Sequence, residues 1–129
     1  MYIEHLAIWC KDLELMKDFY VKHFGAVANT QYHNPGNKLY SYFLSFEKGP
    51  RLELMQRPDI PDSLNDVMEQ FTGLIHFAVS VGSEDKVNAI TEQCRKDGIR
   101  IVGEPRKTGD GYYESARLDI EGNRIELTV

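Results

Sequence analysis

Hydrophobic positions along this chain change their period several times, and each change marks an element. The opening run Tyr2-Ile-Glu-His-Leu-Ala-Ile-Trp9 reads as a strand. Asp12 then offers an N-cap to a helix whose apolar residues Leu13, Met16, Phe19, Tyr20 and Phe24 recur at three- and four-residue steps, and Gly25 ends it. Ala26 to Tyr32, Leu39 to Phe46 and Arg51 to Gln56 predict three strands, separated by turns at Asn34-Pro-Gly-Asn37 and around Lys48-Gly-Pro50. Arg57 to Phe71 reads as a connector in which Pro58 and Pro61 break regular structure and a short helix starts from Asp62. The pattern then begins again. Leu74 to Val81 is a strand, Ser83 an N-cap, Val87, Ile90 and Cys94 an apolar helical stripe, and Gly98 its stop. Ile99 to Val102, Tyr112 to Ile120 and Arg124 to Val129 complete the second set of strands.

Each half therefore reads β-α-β-β-β, and identities in register support a duplication. His5 matches His76 at an offset of 71, while Gly25 and Gly98, Gly49 and Gly122, Arg51 and Arg124, and Glu53 and Glu126 match at 73. The expected fold is α+β, one domain over 1–129, with a first module at 1–57, a connector at 58–72 and a second module at 73–129. Such a half-unit is too small to bury its sheet face alone, so the two copies are expected to pack together.

Strand parity singles out four residues. Leu6 and Ile8 share one face of the first strand and His5 and Ala7 the other, and in the fifth strand Ile75, Phe77, Val79 and Val81 oppose His76. In the strands that close each half, Leu52 and Leu54 oppose Glu53, while Ile125, Leu127 and Val129 oppose Glu126. One His and one Glu per half thus lie away from the aliphatic side. Singly, a strand His is usually a hydrogen-bonded structural residue and a strand Glu is usually solvated. All four at matched positions suit a divalent first-row metal, because a carboxylate flanked by leucines is costly to desolvate unless a positive charge meets it. His23 and His33 lack counterparts in the other half and read as surface or pocket-rim residues.

Composition narrows the remaining classes. Hydrophobic residues at 42% argue for a packed core, and a formal charge of -5 disfavours a nucleic-acid or anionic-membrane partner. No apolar stretch approaches the ~20 residues of a membrane helix, and the start lacks a basic-then-apolar leader, so a cytoplasmic protein is expected. Cys10 and Cys94 form no C-x-x-C, and small buried hydrophobes are their expected role.

The order His5, Glu53, His76, Glu126, the duplicated unit, and the closing Asp119-Ile-Glu-Gly-Asn-Arg-Ile-Glu-Leu127 resemble the vicinal oxygen chelate superfamily over essentially the whole chain. The full ligand set looks most like its glyoxalase I, or lactoylglutathione lyase, group, with Glu53 as the discriminating residue. That resemblance implies His5, Glu53, His76 and Glu126 as ligands of one divalent metal, zinc or nickel foremost, with manganese, cobalt or iron as alternatives. It implies Glu126 and Glu53 as the groups that move a proton on a small-molecule substrate such as a 2-oxoaldehyde thiol hemithioacetal. A homodimer is expected, since these modules commonly pair. A small-molecule sequestration protein, or an epimerase, dioxygenase or thiol transferase on the same fold, is the alternative. The sequence departs from the group at Trp9, where bacterial-type members commonly carry an Arg for a glutathione carboxylate; Arg51, Arg57, Arg106 and Lys107 are the candidate replacements, with surface solvation as the favoured alternative role for each. Tyr40, Tyr42, Phe46 and the pair Tyr112-Tyr113 are candidates for lining an apolar pocket, with core packing as their alternative.

Overall fold

A computed structural model describes residues 1–129. The chain divides into two compact units, Met1–Ser63 and Leu64–Val129. The first contains β1 (His5–Trp9), α1 (Leu13–Phe24), β2 (Val27–Ala28), β3 (Tyr32–Asn34), β4 (Leu39–Ser45) and β5 (Arg51–Gln56). The second contains β6 (His76–Ser80), α2 (Glu84–Lys96), β7 (Ile101–Lys107), β8 (Tyr113–Leu118) and β9 (Arg124–Thr128). The architecture is α+β, the class the periodicity predicts, with two helices and two sheets whose strand pairing is mixed.

In the first unit the strand order is β1-β5-β4-β2, with β3 also on β4, and β1 runs parallel to β5. The Asp12 carboxylate accepts from the Leu15 amide at 3.0 Å and starts α1. Gly25, at φ +63°, stops it by donating its amide back to the last turn. The helix buries Leu13, Met16, Phe19 and Tyr20, and on the sheet Leu44, Leu52 and Leu54 are buried. Phe24, expected on that stripe, is only half-buried at the helix end.

The strand expected over Ala26 to Tyr32 is divided into β2 and β3, and the pairing shows why. Ala28 faces Leu44 and Tyr32 faces Ser41, so four steps on one side meet three on the other and one residue bulges. Asn29 spans the irregularity, since its side-chain oxygen accepts from the Phe43 amide at 2.8 Å while its own amide donates to the Phe43 carbonyl at 3.0 Å.

The second unit repeats the plan in the order β6-β9-β8-β7, with β6 parallel to β9. Ser83 caps α2 by accepting from the Lys86 amide at 3.3 Å. Val87 and Cys94 are buried as expected, but Thr91 joins them while Ile90 stays half-buried. The Thr91 hydroxyl is satisfied by the Val87 carbonyl at 2.6 Å and the Ser115 hydroxyl at 2.7 Å, which makes it admissible in a core. Arg117 on β8 is also buried and donates to the Cys94 sulfur. β7 runs on to Lys107, past the expected end at Val102, and its register shifts between Gly103 and Arg106 around Pro105, which has no amide to donate.

The connector forms no helix. Asp66 accepts from the Met68 and Glu69 amides at 2.7 and 3.0 Å, as a cap would, but no helix follows. Leu64, Met68 and Phe71 keep helical spacing yet are exposed, so a short helix there has no packed face to stabilise it.

Candidate functional site

Each unit builds the same small constellation from two parallel strands. His5 on β1 stands opposite Arg51, and Ala7 opposite Glu53, on β5. In the second unit His76 stands opposite Arg124, and Ala78 opposite Glu126. Because side chains alternate along a strand, Leu52 and Leu54, like Ile125 and Leu127, turn to the buried side while the carboxylate between them turns away. The structure accordingly brings His5 Nε2 to 3.7 Å from Glu53 Oε2, and His76 Nε2 to 3.1 Å from Glu126 Oε2. The carboxylates are largely covered, at 17% and 18% exposure, and within its unit each has the imidazole as its polar partner. Neither unit by itself gathers three metal-capable side chains.

The donor chemistry of each pair fits a divalent cation. An imidazole nitrogen and a carboxylate oxygen suit zinc, nickel and their neighbours, and a cation would offset the lost solvation of a carboxylate left less than one-fifth exposed.

The first pair carries an additional layer that sequence reading missed. Glu4 Oε2 lies 2.6 Å from His5 Nδ1, and Glu4 Oε1 accepts from Arg51 Nε at 2.8 Å. The His5 ring and the Arg51 guanidinium hold the Glu4 carboxyl below its ordinary range. Phe43 supports both side chains: the His5 ring meets it edge-on at a centroid distance of 5.3 Å, and the Arg51 guanidinium lies 4.1 Å above it. In the second unit Ile75 stands where Glu4 does, and Arg124 donates to the Val67 carbonyl at 2.9 Å.

The expected aromatic lining needs correction. Tyr42 faces the helix side, where its hydroxyl donates to Glu14 of α1 at 2.7 Å, and Tyr113 donates to Asn88 of α2 at 2.9 Å. Tyr40 stacks on His33 at 4.2 Å, and His23 rests on Phe19 at 5.0 Å, which accounts for these two histidines without a metal. The ring that pairs with Glu53 across the sheet is Phe43. Trp9, two residues along the face from Ala7, is 41% exposed and lies beneath Arg57 at 5.5 Å. The replacement arginines are engaged: Arg51 by Glu4, Arg57 by Asp59 at 2.5 Å, and Arg106 by Glu114 at 3.2 Å.

No helix is long and apolar enough to cross a membrane. Comparison with known proteins agrees with the architecture. A solved glyoxalase family protein from Enterococcus faecalis has a TM-score of 0.78 at 23% identity, covering 98% of this chain and 96% of that one. The trypanothione-dependent glyoxalase I of Leishmania major has a TM-score of 0.77 at 21% identity, covering 99% and 86%. At these identities the likeness is one of fold. An uncharacterized Bacillus subtilis protein, YwkD, is 32% identical over 106 residues, which span 82% of this chain and 77% of YwkD. The family model of the Glyoxalase/Bleomycin resistance protein/Dioxygenase superfamily matches residues 2–127, and the chain belongs to that superfamily.

Proposed function

We propose that the chain is a metal-dependent isomerase or lyase of the glyoxalase I type, with His5, Glu53, His76 and Glu126 as ligands of one divalent metal, zinc or nickel. The observation that carries this reading is the repeated His–Glu pair, set at the same register in both sheets and turned away from both helices. A bound divalent cation supplies positive charge for two vicinal oxygens of a substrate as negative charge develops on them. The imidazoles of His5 and His76 are holding groups. Glu53 and Glu126 hold and also exchange protons: one carboxylate takes the C1 proton of a 2-oxoaldehyde hemithioacetal and returns it to the neighbouring carbon. The result is an isomerisation to the thioester of a 2-hydroxy acid, with no net gain or loss of atoms.

The thiol is the less constrained part. With Arg51 and Arg57 each facing a carboxylate, and Trp9 and Met55 side by side on β1 and β5, the first unit favours an apolar or weakly charged thiol over glutathione. The reading is a cytoplasmic, homodimeric enzyme.

Metal analysis of the purified protein, with turnover of methylglyoxal plus glutathione and plus other thiols, tests this. Glu53→Gln and Glu126→Gln are each expected to lower metal content and abolish turnover. Full metal content and activity in both variants would refute the shared ligand set. A metal-loaded protein inert toward every hemithioacetal would keep the ligands and remove the glyoxalase assignment, leaving another metal-dependent reaction of the superfamily.

A further inference from the structure

We infer that Glu4 and Arg51 are positioning residues that hold His5 in the tautomer with the proton on Nδ1, so that Nε2 presents its lone pair beside Glu53. This rests on the reading of His5 and Glu53 as metal ligands and adds to it a supporting group outside the ligand set.

A neutral imidazole ring carries its proton on one nitrogen and its lone pair on the other, and the partner of one nitrogen decides the role of the other. At His5 the assignment follows from the neighbours. Glu4, a carboxylate with no proton to give, lies 2.6 Å from Nδ1, so Nδ1 is the donor. In the neutral ring Nε2 then carries the lone pair, and it is the nitrogen that faces Glu53, so lone pair and carboxylate present themselves together to a cation. Glu4 does not stand alone, because its second oxygen is tied to Arg51 Nε at 2.8 Å, and Arg51 is the β5 residue directly opposite His5. Phe43 completes the support from β4, touching the His5 ring edge-on and underlying the Arg51 guanidinium. The carboxylate is thus fixed from two sides, and the imidazole is fixed in both rotation and tautomer.

The second unit shows what the arrangement adds, since it has the same His, Arg and Glu without it. Ile75 occupies the position of Glu4, Ala116 that of Phe43, and Arg124 turns to the Val67 carbonyl. His76 therefore lacks the carboxylate that orients His5. The two halves of the ligand set are unequal, and the His5 half is the more preorganised one.

Imidazole nitrogen chemical shifts of the metal-free protein, together with titration by Zn²⁺, test the inference. In the wild type His5 is expected to show a protonated Nδ1 and an unprotonated Nε2, with the resonance assigned by its loss in His5→Gln. Glu4→Ala is expected to shift His5 toward the Nε2-protonated form and to weaken Zn²⁺ binding roughly tenfold to a hundredfold. Glu4→Gln, whose amide oxygen still accepts from Nδ1, is expected to keep the tautomer with a smaller loss, and Ile75→Ala to leave His5 and the affinity unchanged. If Glu4→Ala leaves either the tautomer or the Zn²⁺ affinity at the wild-type value, the inference is wrong. Wild-type protein that takes up no Zn²⁺ would instead defeat the metal reading, an outcome separable because the tautomer is read without metal.

Discussion

Replacing Asp119 by alanine is expected to be among the costliest single changes outside the apolar core, because one carboxylate organises the whole β8–β9 turn. Its Oδ1 accepts from the Glu121 amide at 3.0 Å and the Asn123 amide at 2.8 Å, and its Oδ2 accepts from the Asn123 side chain at 2.8 Å. Asp119 is only 6% exposed, so water replaces those partners poorly. Two amide bonds to a charged group at about 1.5 kcal/mol each, with the side-chain bond adding less, give a loss of about 3 kcal/mol. For a chain of this size that lowers Tm by about 12 °C. The turn also sets the register that places Glu126 opposite Ala116 and Ala78. A slip of one residue would turn Glu126 to the helix side. The assay is thermal unfolding followed by circular dichroism, with Asn123→Ala as a milder comparison that keeps both backbone amides bonded. A Tm for Asp119→Ala within about 3 °C of wild type would refute the view that this carboxylate holds the turn.

Two other expectations follow from side chains on the helix faces. Thr91→Val keeps the shape but strands the buried Ser115 hydroxyl, so it should cost about 1–3 kcal/mol in denaturant unfolding, and adding Ser115→Ala should recover part of the loss; a strictly additive double variant would contradict the pairing. The Glu14 carboxyl is held below its ordinary range by Lys17 and then by the Tyr42 hydroxyl, so its contribution is present above the ordinary glutamate pKa and is lost as pH falls through the lowered one. Since Glu14 is half exposed, Glu14→Gln should flatten the acid limb of stability against pH by less than about 1 kcal/mol, and an unchanged limb would count against the ion pair.

The placement of the two His–Glu pairs was legible because it depends on parity and pairing, which a sequence displays. Leu52-Glu53-Leu54 states by alternation alone that the carboxylate turns away from the leucines, and the structure has Leu52 and Leu54 buried with Glu53 between them. Asp12 and Gly25 likewise act locally, one by accepting an amide and the other by adopting φ +63°. What escaped depends on partners distant in sequence. Tyr42 reads as a pocket aromatic until Glu14, 28 residues earlier, takes its hydroxyl. Glu4 reads as the polar residue before a strand until Arg51 and His5 meet on it. Arg117 violates the rule that arginines face solvent, and its burial follows from strand parity with Ser115 together with the Cys94 sulfur above it. The bulge between Ala28 and Tyr32 is a mismatch in count between two strands, which neither strand shows alone.

The two cysteines acquire a use from their placement. Each unit holds one buried, unbridged thiol, Cys10 in the first and Cys94 in the second, the latter on the buried face of α2 and against Arg117. A thiolate-seeking reagent reaches either sulfur only when its surroundings open, so labelling kinetics in Cys10→Ala and Cys94→Ala backgrounds time the opening of the two units separately. The chain thus carries its own pair of clocks, one for the half that holds His5 and Glu53 and one for the half that holds His76 and Glu126.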